Sequence, residues 1–154
     1  MTKTNAMRIL DQKKINYEAH SYSTNDGIDG ISVANSINKD SIMVYKTLVT
    51  KHEKENFVFI IPVASELDLK KAAAAAGVKN IEMIKQKDLL PLTGYVHGGC
   101  SPIGMKKKLK TFIHEDAKHL NTLVISAGKI GLQVELSPSD LAEIVDAIFE
   151  DIIK

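Results

Sequence analysis

Cysteine is nearly absent from this sequence. Cys100 stands alone among 154 residues, so no internal disulfide can form, and such a chain suits a reducing compartment. Long hydrophobic runs are missing too: nothing approaches the roughly 20 apolar residues that span a bilayer. The opening Met1-Thr-Lys-Thr-Asn-Ala-Met-Arg8 is polar and then helix-like, without the apolar block and small-residue cleavage site of a secretory signal. These absences predict a cytoplasmic protein with no membrane association. Charge of one sign is also lacking. The formal net charge is +1, so the molecule as a whole sets up no strong field toward nucleic acid, and any such binding needs a local patch. There is no repeat, no Pro/Ser-rich linker and no shift of composition, which predicts one domain over residues 1–154.

What is present is the balance of an ordinary globular chain, 44% hydrophobic and 25% charged. Residues 4–14 read as an amphipathic helix with Ala6, Met7, Ile9 and Leu10 on its apolar side. A short strand is expected over Tyr17–Tyr22, then a turn-rich loop from Ser23 to Gly30 and a short helix around Ile31–Ile37. The β-branched and aromatic runs 43–51 and 57–63, separated by Glu53-Lys-Glu-Asn56, predict an antiparallel hairpin. Ser65-Glu-Leu-Asp68 resembles a capping box that opens a helix through Ala72–Ala76, with Gly77 ending it in a left-handed conformation. Asp88–Leu90 can form a helical turn before Pro91. Strands are expected at Thr111–Ile113, Thr122–Ser126 and Gly131–Leu136, the last two joined through Ala127-Gly-Lys-Ile130. Ser137 caps a final helix with Pro138 at its first position, and Leu141, Ile144, Val145, Ile148 and Ile152 form its apolar stripe. The pattern predicts a mixed α/β or α+β fold, largely antiparallel, with flanking helices.

Several chemistries fail on spacing. Gly99 and Gly104 stand as far apart as the glycines of a phosphate-binding loop, but Met105 occupies the lysine position and Pro102 removes an amide. Gly128-Lys129 is followed by Ile130 and fails as well. His114 and His119 are five residues apart, unlike the His-Glu-x-x-His zinc pair, and His97 with Cys100 has no second cysteine pair beside it. No metal and no cofactor are expected. Cys100 is a candidate nucleophile by its isolation, but nothing adjacent in sequence would lower its pKa, and a small residue lining a tight loop is the plainer reading. Lys106, Lys107, Lys108 and Lys110, with Lys85 and Lys87 upstream, are either a solvated charged face or a source of phosphate contacts.

Three segments carry more chemistry. In Val44-Tyr45-Lys46-Thr47-Leu48-Val49 a lysine interrupts an apolar strand. It must either leave toward solvent, which the pattern alone favours, or meet acceptors in a polar cavity. In Gly94-Tyr-Val-His-Gly-Gly-Cys-Ser-Pro-Ile-Gly104 the glycines allow the backbone to approach a ligand and present amides to an oxyanion; a structural turn is the competing explanation. Val124-Ile-Ser-Ala-Gly-Lys-Ile-Gly131 is a second glycine-containing turn, with the Ser126 hydroxyl available.

Taken in order, Tyr-Lys-Thr-Leu, Leu-Asp-Leu-Lys-Lys, the Thr93–Gly104 segment and Ser-Ala-Gly-Lys-Ile-Gly-Leu resemble the YbaK family. That family comprises bacterial Cys-tRNA(Pro) deacylases and the related editing domain of prolyl-tRNA synthetases. The resemblance runs from about the first helix to the last. It implies a mixed sheet or barrel core with flanking helices, and hydrolysis of the ester joining a wrong amino acid to the terminal adenosine of tRNA. Lys46 matches the family's essential lysine, and Gly98, Gly99, Cys100, Ser101 and Pro102 match its Gly-x-x-x-Pro loop. Tyr22 falls where an aromatic residue often lies near the substrate, and Ser126 and Gly128 match the later turn. The resemblance further implies that the protein supplies no covalent nucleophile: for cysteinyl substrates, the substrate's own thiol attacks its ester carbonyl, pre-positioned at a high effective concentration. Mischarged tRNA(Pro) is the implied partner and prolyl-tRNA synthetase a candidate second one.

One position departs from the family. Gln133 stands where the family often has an acidic residue, and an amide provides no negative charge. That bears on which amino acid is removed, because related deacylases act on Ala-tRNA(Pro), where water must attack. A non-catalytic tRNA- or synthetase-binding module of the same fold is the alternative.

Overall fold

The computed structural model describes residues 3–23 and 27–154. Helix α1 covers Asn5–Gln12 and is opened by Thr4, whose hydroxyl accepts from the Met7 amide at 3.2 Å. Strand β1 (Glu18–Ser21) and helix α2 (Gly30–Ser36) follow. The turn-rich segment expected between them lies partly outside the described residues. A single 3-10 turn at Ser41–Met43 leads into the hairpin of β2 (Tyr45–His52) and β3 (Glu55–Pro62), in register from Tyr45 opposite Pro62 to His52 opposite Glu55.

Helix α3 (Leu69–Ala76) starts four residues later than the first hydroxyl of the capping-box pattern. Asp68, not Ser65, is the cap: its carboxylate accepts from both the Lys70 and Lys71 amides at 3.0 Å. Ser65 instead closes a turn onto the Pro62 carbonyl. An ionised cap is the stronger acceptor for two adjacent amides, and the alanine run has the highest helix propensity. Gly77 ends the helix at φ 74° as expected. After a two-residue strand β4 (Glu82–Met83), helix α4 runs Gln86–Thr93 straight through Pro91. Pro91 is the sixth residue of this eight-residue helix, where its missing amide gives up one intrahelical bond without ending the helix.

Strands β5 (Lys110–His114), β6 (Leu123–Lys129) and β7 (Leu132–Leu136) precede helix α5 (Pro138–Val145), capped by Ser137. The expected stripe does not continue to Ile148 and Ile152. Asp146 turns left-handed (φ 55°), its amide closing on Ala142 and Glu143 carbonyls, and Ala147–Glu150 becomes β8, parallel to β5. The apolar residues after Asp146 had a helical spacing by coincidence; a sheet edge claims them.

Two sheets result, ordered β1-β7-β6 and β4-β2-β3-β5-β8. The first is antiparallel; in the second, β3–β5 and β5–β8 are parallel and the rest antiparallel. One core lies between the sheets and α1, around Met7, Leu10, Ile60, Ile113, Ile125 and Leu141. A second lies under α3, where Phe59 and Phe112 stack with centroids 5.2 Å apart. The sheets meet at an isolated parallel bridge between Val44 and Val124, and this junction positions the site.

Candidate active site

Two residues beyond the Val44–Val124 bridge, in the same direction along each strand, come Lys46 and Ser126. Ser126 is in turn the cross-strand partner of Gln133. A parallel bridge and one antiparallel register therefore bring together three side chains from 46, 126 and 133. They line a cavity of about 380 Å³, with Gly98 and Cys100 on the facing loop and Gly30 and Val33 of α2 at another wall. That volume is in the range of small-ligand sites.

The Gly94–Gly104 loop holds its place by close backbone packing. A Cβ on Gly99 would come within 2.9 Å of the Ile130 amide nitrogen, so the loop lies directly against the turn after β6. Tyr95 clamps the same contact: its hydroxyl donates to the Ile103 carbonyl, and a Cβ on Gly128 would meet its ring at 2.8 Å. Gly98 has φ 87° and abuts Ile28. The two glycine segments noted separately in the sequence are thus one packed unit. Within the loop, Gly99 donates to the Val96 carbonyl and Ile103 to the Ser101 hydroxyl. The amides of Gly98 and Cys100 meet no protein acceptor among the described residues.

Lys46 is not free in solvent, and it has no ion-pair partner among the described residues. Its side chain is half-buried in the cavity, and burial lowers its pKa, offset in part by the charge of Glu66. Strand β4 pairs with β2 only at Thr50 and Lys51, so β4 leaves the edge of β2 from Tyr45 to Leu48 uncovered beside the cavity, where β6 approaches from the Val44–Val124 bridge. The Val49 carbonyl on this edge accepts from Ile84; by the two-residue period the amide and carbonyl of Thr47 face the same way. The Thr47 hydroxyl is buried without a protein partner among the described residues. Sequence reasoning missed Thr47 as a site residue although it adjoins Lys46.

Cys100 is buried at the cavity wall, and burial pushes its thiol up to about 12, partly countered by Thr93. It is a protonated, poorly nucleophilic thiol at neutral pH. Ser101 and Pro102 are buried behind the loop and do not line the cavity, nor do Gly99 and Gly128, which act as packing positions. Tyr22 does not line it either. Its amide bonds the Gly131 carbonyl at 2.9 Å, and its hydroxyl is buried without a partner among the described residues.

The carboxylate that β7 does carry, Glu135, points elsewhere. It accepts from Thr122 at 2.6 Å and meets His20 at 2.8 Å and Lys39 at 3.1 Å. Glu18, His20 and Glu135 bring their donor atoms within 4.8 Å of one another, but the Lys39 ammonium already supplies the cation there. The carboxylate lining the cavity is instead Asp29, which sequence reasoning did not single out. It caps α2 by accepting from the Ser32 amide and hydroxyl, and these bonds lower its pKa.

With this geometry in place, the comparisons with known proteins are consistent. Residues 29–144 match the family model described as an aminoacyl-tRNA editing domain. The chain is 43% identical over 152 residues to an Enterococcus faecalis protein named Cys-tRNA(Pro)/Cys-tRNA(Cys) deacylase EbsC, covering 97% of this chain and 93% of that one. Among solved structures, one described as a trans-editing enzyme for prolyl tRNA synthetase superposes with a TM-score of 0.87 at 19% identity, over 99% of both chains. The crystal structure of hypothetical protein APE2540 superposes at 0.86 and 17% identity, over 96% of this chain and 97% of that one; both likenesses concern the fold. The architecture is that of the editing-domain class. This chain belongs to the aminoacyl-tRNA editing domain family.

Proposed function

We propose that this protein is a trans-editing deacylase that cleaves the ester of mischarged tRNA(Pro), Cys-tRNA(Pro) above all. The observation that carries this reading is one cavity lined both by the half-buried Lys46 and by Gly98 and Cys100, whose amides have no protein acceptor among the described residues. The name of the 43% identical relative supports the substrate.

In this reading the ammonium of Lys46 holds and orients the terminal ribose or the aminoacyl group. The Gly98 and Cys100 amides donate hydrogen bonds to the carbonyl oxygen as negative charge develops on it; such preorganised donors are worth about 10²–10³ in rate. Ser126 and Gln133 contact the bound aminoacyl end, and Gly99, Ser101, Pro102 and Gly128 fix the shape of the loop. Tyr22 supports the site from outside its lining. No protein nucleophile is used, because the Cys100 thiol is protonated at neutral pH. The substrate's sulfur attacks its own carbonyl carbon, the ester C–O bond breaks, and the ribose oxygen takes the thiol proton. The products are a cyclic thioester and uncharged tRNA, and water opens the thioester afterwards.

Purified protein assayed on Cys-, Ala- and Pro-tRNA(Pro), with and without prolyl-tRNA synthetase, tests the proposal. Release of cysteine, with Pro-tRNA(Pro) spared, is expected. No turnover on any of the three would favour a binding module of the same fold.

A further inference from the structure

The lysine clusters that the sequence left open flank the two ends of α4, the helix that contributes Leu89 to the cavity lining. Residues 85–110 carry six lysines against a single carboxylate, Asp88, a net +5 in a chain whose total is +1. The remainder of the molecule is therefore net negative, and the positive charge is a local feature rather than a general one. The fold gathers it around α4. Lys85 is the residue before that helix and Lys87 its second residue. At the other end the Lys106 amide donates to the Thr93 carbonyl at 3.0 Å, and the Lys106 stem lies over Gly94, 3.6 Å from where a Cβ would be.

Leu89, the cavity-lining residue of α4, sits midway, four residues from Lys85 and four from Thr93. Lys85 and Thr93, to which Lys106 is bonded, thus lie about 6 Å of helix rise on either side of Leu89. The loop leaving Gly94 is the one that returns to the cavity at His97 and Gly98.

These lysines differ in what they already do. Lys108 pairs with Asp146 at 3.4 Å and Lys110 lies over the Phe112 ring. Lys85, Lys87, Lys106 and Lys107 are exposed, and none is ion-paired among the described residues. Uncompensated ammonium groups at both ends of one short helix repel one another, and a polyanion relieves that repulsion by releasing its own counterions.

We propose that Lys85, Lys87, Lys106 and Lys107 form the surface that holds the sugar-phosphate backbone of the RNA strand leading out of the cavity. The inference rests on the deacylase reading only for what enters the cavity; the surface itself is a phosphate-binding one. A nucleotide ester bound beside Lys46 carries a phosphodiester at each preceding nucleotide, and α4 with the base of its loop is the wall that presents cations to them. Contacts of this kind fix register without reading sequence.

The test uses two charge-reversal pairs, K85E/K87E and K106E/K107E, with K13E/K14E as a control of equal charge change beside Asp140 and Glu143. Binding of uncharged tRNA is followed by fluorescence anisotropy across a salt series. Each test pair should weaken binding tenfold or more at low salt and flatten the log–log salt dependence by roughly 1.4 to 1.8, the share of two phosphate contacts. The control pair should do neither. With aminoacyl-tRNA the test pairs should raise KM and spare kcat, and cleavage of a short aminoacyl-adenosine ester should be unchanged.

Wild-type affinity and salt slope in both test pairs would overturn the proposal. So would equal losses on tRNA and on the short ester, which would place these lysines in folding or in the cavity itself. If tRNA binding is untouched but stimulation by a synthetase is lost, the surface belongs to an acidic protein, and the RNA assignment is wrong. Because anisotropy needs no turnover, a protein that binds tRNA through these lysines yet cleaves nothing would sink the deacylase reading alone.

Discussion

Gly99 lies directly against the backbone of Ile130, with room for no side chain: a methyl at position 99 would stand 2.9 Å from the Ile130 nitrogen. The obstacle is main chain, which cannot rotate away. Gly99→Ala should therefore cost about 1–3 kcal/mol, as overpacking does. It should also lower deacylation by shifting the amides of Gly98 and Cys100. Urea denaturation of the variant checks the first part, and single-turnover rates the second.

Cys100 offers a test of the claim that no protein nucleophile is used. With its pKa pushed up to about 12 by burial, from an ordinary 9.0, the thiolate fraction at pH 8 is about a thousandfold below that of a free thiol. Iodoacetamide should label the native protein very slowly and the urea-unfolded protein rapidly. Cys100→Ala should retain hydrolysis of Cys-tRNA(Pro). Loss of activity in that variant, with the fold intact, would restore the cysteine-hydrolase alternative.

Glu135 gives the fold an acid-sensitive tie. Burial alone would raise its pKa, but hydrogen bonds from Thr122, His20 and Lys39 together with the Lys39 charge bring it below the ordinary value. A carboxylate depressed in the folded state contributes stability that is fully present above the unfolded pKa, 4.5 for this group. That contribution is lost as pH falls through the lower folded value. Thermal melts from pH 6 to pH 3 should show this fall in the native protein. Glu135→Gln should melt lower at pH 6, reflecting a stability loss of about 1–3 kcal/mol for a broken buried network, and show a shallower fall below pH 5.

Much of this was legible in the sequence because it is local. The hairpin of β2 and β3, the Ser137-Pro138 start of α5 and the left-handed Gly77 all follow from residue types within a few positions. The rest depends on distant contacts. Ile148 and Ile152 fit a helical stripe until β5 offers a parallel partner to Ala147–Glu150. The two glycine segments could be recognised separately, but not that Gly99 packs on Ile130. Asp29 and Gly30 gave little sign of reaching the cavity. Gly30 is there because a Cβ would strike the Val63 side chain at 2.3 Å, a contact 33 residues away in sequence. For Lys46 the strand pattern favoured solvent exposure, and only the junction at Val44 and Val124 explains why it turns to a cavity instead.

That lysine is where the account is most exposed. Lys46→Ala should leave circular dichroism and melting temperature at or above wild-type values, since it removes a half-buried ammonium without an ion-pair partner. The decisive measurement is the single-turnover rate of Cys-tRNA(Pro) deacylation by this variant. A fall of about 100-fold or more, in a folded protein, is the predicted result. Hydrolysis at the wild-type rate would contradict the site described here.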